Sequence, residues 1–129
     1  KGMGIKMSTR SQVHFTNSGV YLYQHYDGYD LAERVQNAIK KNVRWTDEEY
    51  LTRIVFDSMK SDMEKLMKEK YNEEPHTGYG IGTSRHGDIE YLVEIDCTEQ
   101  RIKLLSGYGD DMGEDWTGSF EDFIKRNGN

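Results

Sequence analysis

Residues 89–96 alternate cleanly and predict the most convincing strand in the chain. Ile89, Tyr91, Val93 and Ile95 fall on one side, and Glu90, Leu92, Glu94 and Asp96 on the other. A chain with this stretch needs a sheet with one buried face, and the remaining elements have to cover that face. The strand is entered through a glycine-spaced run, residues 76–88, that carries Arg85, His86 and Asp88. A second stretch, Tyr23 to Tyr29, contains His25, Asp27 and Gly28 and closes another predicted strand. Titratable groups are therefore expected at the ends of two strands.

The other segments sort cleanly. Ser11 to Phe15 and Val20 to Tyr26, joined by the turn cluster Thr16-Asn17-Ser18-Gly19, predict a β-hairpin. Leu31 to Lys41 predicts a helix with Leu31, Ala32, Val35, Ala38 and Ile39 on one stripe, opened by an Asp30–Glu33 capping box. A longer helix follows, with a Thr46–Glu49 box and a Trp45–Tyr50 staple. Its stripe runs through Leu51, Val55, Met59, Met63 and Met67, and Pro75 ends it. Strands are then expected at 78–82, 89–96 and 101–105, with loop at 107–113 and a short helix capped by Ser119 and Asp122. The order β-β-α-α-β-β-β-α has no βαβ rhythm. It predicts a single α+β domain over residues 11–129, an antiparallel sheet of about five strands covered by two main helices, behind a loose arm at 1–10. Lys1-Gly2 stand before the first methionine, so Met3 or Met7 is the expected start.

Composition narrows the function classes. Only 35% of the 129 residues are hydrophobic, so the core should be thin, with nine tyrosines filling part of it and self-association expected to help. A net charge of −6 argues against sequence-independent binding to nucleic acid, which requires a basic surface. Cys97 is the only cysteine, which excludes an intrachain disulfide and a cysteine zinc site and fits a reducing cytoplasm. No apolar run approaches the roughly 20 residues of a membrane span, and no signal peptide is visible.

Two His-x-Asp pairs, His25-x-Asp27 and His86-x-Asp88, are the sharpest constellation. If their strands are neighbours, two imidazoles and two carboxylates converge, a set suited to acid–base work or to a divalent metal. The plainer reading is that Asp27-Gly28 and Gly87-Asp88 are turn residues with the histidines bonded to them. Gly78-Tyr79-Gly80-Ile81-Gly82 lacks the Gly-Lys-Ser/Thr of a phosphate loop and reads as strand glycines that let backbone approach another group, with anion binding by amides as the alternative. Around Arg10 and Arg85, the residues Tyr23, Tyr29, Tyr79 and Tyr91 with Asp27 and Glu90 make a candidate ligand set, guanidinium for phosphate and rings for a base. The competing reading is that the tyrosines fill the core and its rim. The acidic loop Asp110, Asp111, Glu114 and Asp115 departs from the EF-hand spacing. No cofactor and no resident metal are assigned, and His14 and His76 receive no role.

Ser8-Thr9-Arg10-Ser11, Leu22 to Tyr29, Thr77 to Ile81 and His86 to Tyr91 resemble a family of small bacteriophage and mobile-element proteins. These have a Ser/Gly-Thr-Arg start, a Tyr-x-His-x-Asp-Gly-Tyr-Pro segment and a His-Gly-Asp-Ile-Glu-Tyr segment. The resemblance spans roughly residues 8–105 and departs at Asp30, where the family has proline. It implies a setting in the host cytoplasm and an accessory, counter-defence role rather than a particular chemistry. Two functions follow as expectations. One is a module that binds a nucleotide-type signal or a host defence protein. The other is a small phosphodiester or nucleotide hydrolase with His25, His86 and Asp88 as catalytic groups, assisted by Asp27 and Glu90, with or without a metal.

Overall fold

A computed structural model describes residues 9–71 and 78–127, and the side chains of most of them. They form one α+β domain around a six-stranded sheet of order β3-β2-β1-β4-β5-β6. The strands are β1 (Ser11–Phe15), β2 (Val20–Gln24), β3 (Tyr79–Gly82), β4 (Tyr91–Asp96), β5 (Arg101–Ser106) and β6 (Gly113–Ser119). The helices are α1 (Leu31–Lys40), α2 (Glu48–Leu66), which runs on into a π-helical turn at Met67–Tyr71, and α3 (Phe120–Lys125). No helix among the described residues is long and apolar enough to cross a membrane.

The expected alternation places Val13, Phe15, Leu22, Val93, Ile95, Ile102 and Leu104 on one face, where they are buried. Leu31, Val35, Ala38 and Ile39 of α1 and Leu51, Val55 and Met59 of α2 join them in a single cluster, closed at one end by Phe120 and Phe123 of α3. The continuation of the α2 stripe at Met63, Leu66 and Met67 lies outside the described side chains. Pro75, His76, Thr77 and residues 1–8 lie outside the described residues.

Three expectations need correction. The sheet is mixed rather than antiparallel, because β1 pairs with β4 in parallel, Ser11 opposite Tyr91 through Phe15 opposite Ile95. β3 takes the outer edge beside β2, and the chain then returns to the open side of β1. A sixth strand, β6, stands where no element is expected, since Gly-Glu-Asp-Trp-Thr-Gly-Ser shows no alternation. It follows β5 through a register shift at Leu104/Leu105 and anchors itself by Trp116, whose ring lies 5.6 Å from that of Phe123. The expected helix starts also differ. The Asp30 carboxylate makes no cap bond, and a 3-10 turn at Gly28–Asp30 leads into α1 instead. Trp45 stacks edge-on against Phe120 and donates to the Ile39 carbonyl at 2.9 Å, leaving Tyr50 exposed beneath Arg44. The Ser119 cap forms as expected, accepting from the Asp122 amide at 3.0 Å.

Gly28 controls how the chain leaves β2. Its amide donates to the Thr9 carbonyl at 2.9 Å, and a Cβ at this position would lie 2.6 Å from that oxygen. Gly28→Ala should therefore lower the unfolding free energy by about 1–3 kcal/mol, whereas Gly82→Ala, with nothing within 4 Å, should stay within about 0.5 kcal/mol. Urea midpoints of the two variants check the contrast.

Candidate functional site

The face of the sheet away from the helices carries the expected cluster. Alternation turns Gln12 and His14 of β1, Tyr21 and Tyr23 of β2, and Glu94 of β4 onto this open face. Tyr23 is the hub. Its hydroxyl lies 2.8 Å from His25 Nδ1, and the His86 ring packs on its ring at 4.7 Å between centroids. The Arg10 guanidinium acts on the same phenol electrostatically, and its Nε lies 3.5 Å from Asp88 Oδ2. Burial, and to a smaller extent Asp88, raises the Tyr23 pKa above its ordinary value against the pull of Arg10, so the phenol stays protonated.

His86 reaches Tyr23 because a buried amide holds its loop down. Gln12, only 1% exposed, donates from Nε2 to the Ser84 carbonyl at 3.2 Å and accepts the His86 amide at Oε1 at 2.9 Å. Both ends of the side chain are used, as burial demands. Arg85 does not join the cluster. Its Nη2 donates to the Gly109 carbonyl at 2.8 Å, tying this loop to the one after β5. On the edge side Gly80 and Gly82 face Tyr23 and Tyr21, so no side chain from β3 covers those rings.

The other expected residues are distributed elsewhere. Asp27 adopts a left-handed conformation (φ 57°) and accepts from the Tyr29 hydroxyl at 3.2 Å. Tyr79 lies on the helix side, edge-on to Phe56 at 6.4 Å. Glu90 lies beside Tyr108, whose pKa it raises. Tyr29 and Tyr91 line a cavity of about 540 Å³ on the helix side, between the start of α1 and strands β4 and β5. Two imidazoles thus meet at one phenol, but the four-group convergence does not form. Among the described residues no three His, Cys, Asp or Glu side chains are grouped to hold a metal ion.

Sequence reasoning missed Gln12, whose role depends on a loop 72 residues or more away. It also missed His14, which stacks on Tyr21 at 4.1 Å and 5° between planes while its Nδ1 lies 3.1 Å from Glu94 Oε2. Residues 14, 21 and 94 are directly opposed on three neighbouring strands, a signal only the register reveals. Burial first and Glu94 second raise the Tyr21 pKa, and Arg85 opposes them.

Two outcomes follow. Gln12→Leu should cost about 1–3 kcal/mol, because it leaves the Ser84 carbonyl and the His86 amide without their partner, and hydrogen exchange should show the His86 amide losing protection. Asp30 at the start of α1 has its pKa raised above the ordinary 3.8, by burial first and by Asp27 and Glu33, with Arg34 opposing. The folded state therefore disfavours its charged form, and this penalty is present at neutral pH and absent below 3.8. Asp30→Asn should be the more stable protein at pH 7 and lose that advantage as pH falls through the acidic range, as thermal melts across pH would show.

No protein-family model, no curated protein and no solved structure matches this chain.

Proposed function

We propose that the protein is a binding module for a nucleotide-type signal, used as a phage counter-defence factor, and that the Tyr23 cluster holds the ligand's phosphate. The observation that carries this reading is the grouping of Arg10, His25 and His86 around Tyr23, with His25 within hydrogen-bond distance of its hydroxyl and His86 packed on its ring. It combines an aromatic surface for a base with guanidinium and imidazole donors for an anion, concentrated on one face of an acidic chain. The side of Tyr23 and Tyr21 that faces Gly80 and Gly82, where β3 has no side chain, supplies the space. Asp88 is the built-in competitor, because it holds the Arg10 guanidinium that a phosphate would take.

A second reading, a phosphodiester or nucleotide hydrolase, is favoured by one observation: two imidazoles flank a single phenol, so one can accept a proton while the other donates. Arg10 would then steady the phosphate and Asp88 would orient it. Both readings have the same first experiment. The protein is incubated with linear and cyclic nucleotides and heat-denatured, and the supernatant is analysed by mass spectrometry. A nucleotide depleted before heating and recovered intact supports the binding module, and a converted one supports the hydrolase. If nothing is depleted or converted, both fail and a host protein becomes the partner to seek.

Substitutions should separate the two further. His86→Ala or Arg10→Ala should weaken nucleotide binding about tenfold or more, the worth of one charge-assisted hydrogen bond. Asp88→Asn frees Arg10 and should tighten binding in the module. In the hydrolase it should slow turnover. Titration calorimetry and product analysis on the same variants read both.

A further inference from the structure

The cavity on the helix side of the sheet is chemically unlike the open-face cluster. It holds about 540 Å³, within the range of small-molecule sites, and its floor is apolar, formed by Leu31, Tyr91, Val93 and Leu104. The cavity is partly open to solvent, so a ligand could enter between the start of α1 and strands β4 and β5. The charged residues at its wall are Asp30, Asp115 and Arg126, a net negative set, with the Arg126 guanidinium lying 5.4 Å over the Trp116 ring. Asp30 stands at the N-terminus of α1, where its amide donates to the Asp27 carbonyl at 2.9 Å, yet its carboxylate does not cap the helix. Arg34, Asp27 and Glu33 surround it electrostatically, and burial makes its charge unfavourable in the protein alone. A half-buried carboxylate that caps nothing and stands beside an apolar cavity, with Arg34 as the cation acting on it, can take a ligand that brings a cation of its own.

We propose that this cavity is a second binding site, separate from the Tyr23 cluster, for a small molecule with a flat apolar body and one protonated amine, the amine held by Asp30 and the body lying against Tyr91, Val93 and Leu104. Charge complementarity selects this class over an anion. A phosphate placed here would meet Asp30 and Asp115, whereas on the open face it meets Arg10, His25 and His86.

Three probes share an indole body and differ in charge: tryptamine (cation), 3-methylindole (neutral) and indole-3-acetate (anion). Each is titrated into the full chain and followed by amide NMR. Tryptamine should shift the amides of residues 30–32 and 91–93 and bind about tenfold or more tighter than 3-methylindole, with indole-3-acetate weakest. Asp30→Asn should remove the advantage of tryptamine, and Asp115→Asn should leave most of it. The proposal is overturned if no probe shifts these amides, or if the shifts fall instead around His25 and His86. It also fails if indole-3-acetate binds as well as tryptamine, or if the cation preference survives Asp30→Asn.

Discussion

The parallel pairing of β1 with β4 is the constraint on which the rest of the molecule depends. β2 runs antiparallel to β1 and ends where β1 begins, with Gln24 opposite Ser11. β4 runs parallel to β1 and also begins there, with Tyr91 opposite Ser11. The residues just after β2, just before β1 and just before β4 therefore emerge at one end of the sheet. That places His25, Arg10 and the loop of His86 and Asp88 side by side. Backbone bonds reinforce the arrangement: the Glu90 amide donates to the Arg10 carbonyl at 2.8 Å, and the Gly28 amide to that of Thr9 at 2.9 Å. An all-antiparallel sheet with β4 reversed would have sent the His86 loop to the opposite end.

This explains which parts could be read from the chain. Strand and helix identity is local, so the alternation of 89–96 and the stripes of α1 and α2 were legible, and with them the α+β class. Elements held by long-range packing were not. β6 has one apolar anchor, Trp116, and becomes a strand because β5 presents a free edge. Trp45 and Tyr50 have the spacing of a staple, but Phe120, far along the chain, offers Trp45 a better surface. In the site, composition pointed to His25 and His86, while their meeting point, Tyr23, was one tyrosine among several. Gln12 and His14 carried no signal at all, since a lone polar residue in an alternating strand reads as solvent-facing. Their roles exist only once residues 84–86 and 94 are laid against them.

The buried polar groups show where the fold accepts a cost. Gln12 is fully satisfied, and it stiffens a loop whose other side chains are exposed. Ser11 Oγ and Gln24 Oε1, on residues paired across β1 and β2, are buried without a partner among the described residues. They lie on the helix side at the same end of the sheet, beside the close approach of Gly28. Apolar residues there would pack at lower cost, but the Gln24 amide is needed. Its Nε2 donates to the carbonyls of Tyr26 and Asp27 at 2.8 and 3.1 Å and shapes the turn that carries the chain from His25 to α1.

The same turn joins the two proposed sites. His25 stands on the open side, and five residues later Asp30 stands at the wall of the cavity, with Asp27 in a left-handed conformation between them. The two sites lie on opposite faces of one sheet layer. An anion at Arg10 and a cation at Asp30 would attract weakly through a layer that salt does not enter. Each would also press on the one turn that has to hold its shape for the other. Coupling of this kind is reciprocal: whatever one ligand contributes to binding of the second, the second returns to the first. The parallel strand pair at the centre gathers the open-face cluster at one end of the sheet, and strand alternation keeps it on the face opposite the cavity.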